Sequence, residues 1–226
     1  GSKVRFVATA TIGFDHIDQD YCREAGIHWV SCPGCNAQAV CDYVEEAIST
    51  IKANKTDLTI GIVGYGHVGK LVAQMANRNG YRVLLSDPPL GIGLSLQEIA
   101  PQCDVLTFHT PLTHDGEYPT YHLCDANILR LCQPGTLIIN AARGGIIDEQ
   151  ALLSTLNTKH STLNYKTVID CWENEPNLNQ DLLKHVDLAS FHIAGYSIQG
   201  KMNATEMCLR AFCEFFSLPI LSINKK

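Results

Sequence analysis

The stretch LTIGIVGYGHVGKLVAQMA, residues 58–76, limits the possible folds more than any other part of the 226-residue chain. An apolar, β-branched run enters a turn with glycines at 64, 66 and 69, and an amphipathic segment follows. That order reads as strand, tight turn, helix. Glycines spaced G-x-G-x-x-G at such a turn let backbone approach a pyrophosphate closely, and the helix start supplies N–H donors and positive potential. The spacing alone is a weak signal; its surroundings strengthen it. A second strand-like run, YRVLLSD, ends in Asp87, 18 residues beyond Gly69. A carboxylate there suits the adenosine ribose hydroxyls and repels a 2′-phosphate, which favours NAD over NADP. Gly64, Gly66, Gly69 and Asp87 are therefore expected to bind cofactor.

The rest of the chain alternates in the same way. Strands are expected near 4–8, 28–31, 58–63, 82–86, 104–108, 136–140, 167–171 and 187–190. Helices are expected near 18–25, 37–54, 67–79, 96–102, 125–132, 148–157, 179–184 and 200–216. Ser95 with Glu98 fits a capping box and Asp148 an N-cap. Val-, Ile- and Leu-rich strands separated by helices imply an α/β fold with a doubly wound parallel sheet, the Rossmann dinucleotide-binding arrangement. Residues 1–50 read as part of a substrate domain, 51–200 as the NAD-binding domain, and 201–226 as a C-terminal helix returning toward the substrate domain. The opening Gly1-Ser2 looks like the scar of an expression tag, and KVRFVATA enters a strand at once, so further chain is expected before it.

Charge and composition narrow the partners. The net charge of −6 offers no broad basic field to nucleic acid or an anionic membrane. No apolar run has the length of a membrane span, and no signal peptide is recognisable. Ten cysteines are spread through strand-like and helix-like segments without secretory context, which fits reduced thiols in the cytoplasm. Cys32 and Cys35 form a C-x-x-C pair, but no second pair at zinc spacing follows. Neither a metal nor a redox role is expected for them.

Three later segments carry chemistry at strand ends. GTLIINAARGGIID delivers Arg143, KTVIDCWENEP delivers Asp170, Glu173 and Glu175, and VDLASFHIAGY delivers His192. Taken singly, these read as a surface arginine, solvated acids and a packed histidine. Ligands of open α/β sheets sit at the carboxyl ends of the strands, so the three segments can share one cleft. An arginine fork suits a substrate carboxylate. A carboxylate beside an imidazole fixes its tautomer and stabilises the imidazolium. Arg143, an acid from DCWENEP and His192 on neighbouring strand ends are what oxidation of a 2-hydroxy acid beside a nicotinamide needs.

At GIVGYGHVG, NAARGGIIDEQALL, DCWENEP and HIAG the chain resembles the D-isomer-specific 2-hydroxyacid dehydrogenases. Further segments narrow the match: FVATATIGFDHID, PGCNA, SDPP, TFHTPLTHDGEYPTYHL and SFHIAGYSIQGK. They resemble the members that oxidise 4-phospho-D-erythronate with NAD during pyridoxal phosphate synthesis. The resemblance implies that His192 is the acid/base, with Arg143 and Glu175 in the active site. It places His67, Val68, Asp87, Thr110, Ala141, Ala142, Arg143, Asp170 and Gly195 along the cofactor, and Thr11 and Tyr196 against substrate. It also implies a flavodoxin-like substrate domain present only in part, a cytoplasmic homodimer for the full-length protein, and more chain beyond both ends. Two other functions stay open: a dehydrogenase of the phosphoglycerate or hydroxypyruvate type, and an NAD(H)-binding module without turnover.

Overall fold

The computed structural model describes residues 3–14, 16–53, 55–157 and 164–219. These fall into two compact units, one made of the residues up to Ala39 together with those from Gly195 onward, the other of Val40–Ala194. The divisions differ from the sequence boundaries at 50 and 200, for a physical reason on the first side. Helix α2, Ala37–Ile51, buries Cys41, Val44, Ala47 and Ile48 in the core of the larger unit, so almost all of it belongs there. The expected helix end at Asn54 lies outside the described residues.

The larger unit is built on a seven-stranded sheet in the order β5-β4-β3-β6-β7-β8-β9. Its strands are β3 (Thr59–Val63), β4 (Arg82–Asp87), β5 (Ile92–Gly93), β6 (Val105–Phe108), β7 (Leu137–Asn140), β8 (Lys166–Ile169) and β9 (Leu188–Ala189). All neighbours run parallel except β5, which pairs antiparallel with β4. Strand order reverses between β3 and β6, the crevice where such sheets take ligands.

Both faces of the sheet are buried, which explains why its strands are apolar throughout rather than alternating. Ile60, Ile62, Val105, Leu137, Ile139 and Val168 face α2 and α3 (His67–Arg78), which cover them with Ile48, Val72, Met75 and Ala76. Val63, Leu106, Phe108, Ile138 and Ile169 face the opposite layer. That layer is α4 (Leu96–Ile99), α5 (Ala126–Leu131), α6 (Glu149–Leu156) and α7 (Gln180–Leu183). Each fully buried Ile or Leu contributes roughly 1.5–3 kcal/mol of transfer free energy. The Ser95–Glu98 capping box forms with both of its reciprocal bonds, and Asp148 caps α6 by accepting the Ala151 N–H.

The short edge strand β5 was not legible in the sequence. It has two residues, and Gly93 sits at φ +79°, where a Cβ would lie 1.9 Å from the Leu85 carbonyl oxygen.

In the smaller unit β1 (Phe6–Ala8) pairs parallel with β2 (His28–Val30), with α1 (Gln19–Glu24) between them in sequence. Helix α8 (Ile198–Phe215) packs on β1, where Phe6 meets Phe212, Phe215 and Phe216. Cys32 and Cys35 are buried against α8, and the Cys32 thiol lies 3.4 Å from that of Cys208. Burial pushes the Cys32 thiol up to about 12, the opposite of an activated thiol. All ten cysteines are free thiols. Among the described residues no three His, Cys, Asp or Glu side chains converge as metal ligands, and no helix is long and apolar enough to cross a membrane.

Candidate active site

At the carboxyl end of β3 the chain turns through the glycine loop, and two of its glycines are demanded by protein neighbours. Gly64 has φ +92° and a Cβ there would lie 2.7 Å from the His109 carbonyl oxygen; one on Gly69 would lie 2.0 Å from the Gly64 carbonyl oxygen. Gly66 is different: its Cβ would meet nothing within 4 Å. Only Gly66, the N-cap of α3, leaves its open side to an incoming group.

Asp87 ends β4, and its two oxygens accept the N–H of Tyr65 at 2.6 Å and of Leu90 at 3.2 Å. The carboxylate therefore pins the glycine loop as well as standing where ribose hydroxyls are expected, and sequence reasoning missed this second task. A carboxylate has about four acceptor sites, so these bonds leave capacity for a ribose.

Thr110, just past β6, packs its methyl toward Gly64, and its hydroxyl oxygen is buried without a hydrogen-bond partner. An unpaired buried hydroxyl costs about 1–3 kcal/mol. The neighbouring His109 is held neutral, since burial drives its pKa down to about 3. Val68 packs with Val40, Tyr43, Ala141 and Ala194, while His67 is exposed at the start of α3.

After β7 the turn 141–145 is fixed from beneath by buried Asn140. Its amide nitrogen donates to the Arg143 carbonyl at 2.9 Å and the Cys171 carbonyl at 3.1 Å, and its oxygen accepts the Ala142 N–H. Gly144 is required there, because a Cβ would lie 1.9 Å from the Trp172 carbonyl oxygen. The half-buried Arg143 side chain bonds the carbonyl of Ala142 and enters no ion pair among the described residues.

The ends of β8 and β9 are tied together far more densely. Asp170 is 1% exposed and accepts the Ser190 hydroxyl and the N–H groups of Ile193 and Ala194. Tyr43 adds a bond to Ser190 at 2.7 Å. Asp170 was expected along the cofactor; the structure shows its carboxylate committed to folding the turn that carries His192. His192 has φ +56°, and its N–H donates to the Asp170 carbonyl at 2.7 Å. A non-glycine residue in that region is held there by its surroundings.

His192 Nδ1 lies 2.8 Å from Glu175 Oε2, and Glu175 Oε1 accepts the Trp172 N–H at 2.7 Å. A carboxylate only accepts, so Nδ1 carries the proton in the neutral imidazole and Nε2 is the nitrogen able to accept one. Glu173 turns elsewhere, to Tyr121 and His122. Of the three acids in DCWENEP, Glu175 is the one bonded to the His192 imidazole. The remaining expected residues lie in the smaller unit. Thr11 is exposed and bonds Thr9 and Gly13, Gly195 is half-buried, and Tyr196 is 72% exposed with the Lys201 ammonium 3.6 Å over its ring. A hydrogen bond from that ammonium lowers the Tyr196 pKa.

Comparison with known proteins places this architecture. Residues 42–194 match the NAD binding domain of the D-isomer specific 2-hydroxyacid dehydrogenases. The chain belongs to that family. The matched span nearly coincides with the larger unit, which is the family's NAD-binding domain. Erythronate-4-phosphate dehydrogenase of Bacteroides thetaiotaomicron is 47% identical over 96% of this chain, and the alignment covers 65% of that relative. The Escherichia coli (strain K12) protein of the same name is 41% identical over 95% of the chain and 59% of its own length. The chain thus spans less than two thirds of the curated relatives it matches. Among solved structures, NAD+-bound 3-phosphoglycerate dehydrogenase of Entamoeba histolytica superposes with a TM-score of 0.81 at 23% identity, covering 99% of this chain and 76% of that one. That likeness shows the fold. The residues at the β3–β6 crevice suit NAD: open space at Gly66, a carboxylate at Asp87, and the unpartnered hydroxyl of Thr110.

Proposed function

We propose that the full-length protein oxidises 4-phospho-D-erythronate to 2-oxo-3-hydroxy-4-phosphobutanoate, a step toward pyridoxal 5′-phosphate. NAD, when bound, supplies the hydride acceptor for the substrate C2. His192 Nε2 takes the proton of the C2 hydroxyl as that hydrogen leaves, so one proton and one hydride are removed together. Glu175 accepts from Nδ1 and stabilises the imidazolium that results. Arg143, with no carboxylate partner among the described residues, offers its fork to the substrate carboxylate. Thr11 and Tyr196 are assigned substrate contact by family resemblance. The observation that carries this reading is the 2.8 Å bond between His192 and a Glu175 whose other oxygen is already fixed.

The relatives named erythronate-4-phosphate dehydrogenase favour that substrate over other 2-hydroxy acids. We further infer a cytoplasmic homodimer for the full-length protein, which the family resemblance suggests. Formation of NADH by the full-length protein tests the substrate against a panel of 4-phospho-D-erythronate, 3-phospho-D-glycerate and D-glycerate. The expected result is a kcat/KM for the four-carbon phosphate at least about a hundredfold above the others, a difference of roughly 2.7 kcal/mol in transition-state binding. Preferred turnover of a three-carbon acid would reassign the substrate. NADH binding with no turnover of any member would reduce the protein to a binding module.

A further inference from the structure

The segment LTHDGEYPTYHL, residues 112–123, has no part in the chemistry above, yet its end touches both loops that do. It closes on itself: the Thr113 N–H donates to Thr120 Oγ1 at 2.8 Å, the Thr120 N–H returns to the Thr113 carbonyl at 3.0 Å, and the Thr120 hydroxyl donates to the Pro111 carbonyl at 2.6 Å. The closed loop presents Tyr121 and His122, the latter at φ +52° with its N–H on the Gly145 carbonyl at 2.7 Å. The two rings stack at 3.9 Å.

From there they grip Glu173. His122 Nε2 lies 3.1 and 3.3 Å from its two oxygens, and the Tyr121 hydroxyl donates to Oε1 at 3.0 Å. On the backbone side, Glu149, 5% exposed at the start of α6, accepts the Glu173 N–H at 2.6 Å. Glu173 is therefore held at its main chain and its side chain. The next residue back, Trp172, donates its N–H to Glu175, and Glu175 holds His192. The grip also reaches the arginine turn. Gly145 lies against Tyr121, where a Cβ would come 3.3 Å from the ring, and Gly144 is in backbone contact with Trp172.

Acidic groups from Asp148, Glu149, Glu173 and Glu175 gather at this corner, where the charges of Glu173 and Glu175 act on buried Glu149. His122, when protonated, is the cation that meets Glu173 and approaches Asp148 at 3.8 Å. Multiply bonded side chains of this kind, with Glu149 buried beneath them, fix a loop more tightly than a solvated loop fixes itself.

We propose that His122, Tyr121 and Glu149 are positioning residues that hold the 171–175 loop against the 143–145 turn, so that Glu175 meets His192 and Arg143 stays at the same sheet edge. This rests on the assignment of Glu175 and His192 as the acid/base pair. Misplacing a catalytic group by about 1 Å can cost about a hundredfold in rate. Partial loosening at one remove is expected to cost less.

The test uses the full-length protein and whichever 2-hydroxy acid the wild type turns over. His122→Ala and Glu149→Ala should each lower kcat about tenfold with the KM for NAD within about twofold of wild type, a split that general destabilisation would not produce. His122→Gln and Glu149→Gln, which keep a donor and an acceptor in place, should recover most of the loss. A second readout needs no substrate: the far-downfield proton resonance of the His192 Nδ1–H bonded to Glu175, present in wild type, should broaden or vanish in both alanine variants. Should those variants fail to fold, Tyr121→Phe keeps the ring, loses one bond to Glu173, and should lower kcat about two- to threefold. Wild-type kcat in the folded variants, or an undisturbed His192 resonance, would overturn the proposal. A wild type without turnover on any 2-hydroxy acid would count against the catalytic reading instead, and the resonance would still decide this one.

Discussion

The two ends of the β3–β9 sheet edge are finished to different degrees. Beyond β8 and β9, Asp170, Trp172, Glu175 and Ser190 satisfy one another and the His192 turn, so the proposed proton-transfer pair is held by protein contacts. Beyond β3 and β6, the Thr110 hydroxyl is buried and unpaired, Gly66 faces open space, and Asp87 braces the loop. Chemistry that moves a proton needs fixed geometry, whereas a site that holds a large cofactor keeps its hydrogen-bonding capacity unspent. The contrast predicts that mutations at the two ends separate: one set changes kcat, the other changes cofactor affinity.

The largest effect within the cofactor end should split its own glycines. Gly69→Ala drives a methyl into the Gly64 carbonyl and should destabilise the protein by about 3 kcal/mol or more, the upper range for overpacking. Gly66→Ala meets no protein atom, so it should leave the melting temperature nearly unchanged while weakening NADH about tenfold or more, because the methyl stands where pyrophosphate approaches. Thermal melts and NADH fluorescence titrations of both variants check this. Equal loss of stability in the two would erase the distinction. A smaller effect is expected at Thr110→Val. Removing an unpaired buried hydroxyl should raise the stability of the cofactor-free protein by roughly 1 kcal/mol, while NADH binds several-fold more weakly. Unchanged NADH affinity would show that the hydroxyl does not serve the cofactor.

These contrasts also mark what could be read from sequence. The sheet was legible because its strands are buried on both faces, so unbroken runs such as Ile60–Val63 and Leu137–Ile139 stand out. Local devices were legible too, since Ser95 with Glu98 and Asp148 need only a few residues of context. Strand β5 was not, because two residues carry no periodicity and the antiparallel turn depends on Leu85. Strand ends brought an acid and His192 together and the resemblance named Glu175, but the spacing of Asp170, Glu173 and Glu175 alone did not choose among them; in the structure Glu175 is the one bonded to the imidazole. Asp170 turned inward to the Ser190–Ala194 turn and Glu173 toward His122, and no sequence spacing signals either. The second task of Asp87, pinning the Tyr65 N–H, is a tertiary contact of the same illegible kind.

The smallest expected effect concerns Glu149, where the finished end meets titration. Burial first, and then the charges of Glu173 and Glu175, raise its pKa to about 7, against the pull of the Glu173 N–H and His122. A carboxyl whose folded pKa lies above its unfolded value stabilises most at low pH, and that contribution is lost as pH rises through the folded value. Wild-type stability should therefore fall between about pH 4.5 and about pH 7 on account of this group, and Glu149→Gln should flatten that slope by on the order of 1 kcal/mol. Urea melts across that range measure it, and parallel slopes for the two proteins would contradict the assignment.

The central claim is that His192 moves the proton while the other end of the sheet edge holds the cofactor. Its most direct test is His192→Asn in the full-length protein, with kcat and NADH affinity measured side by side. The structure predicts a kcat reduced about 10²- to 10⁴-fold, the usual contribution of a general acid/base, with NADH affinity within about twofold of wild type. Near-normal turnover, or NADH binding lost in step with activity, would contradict it.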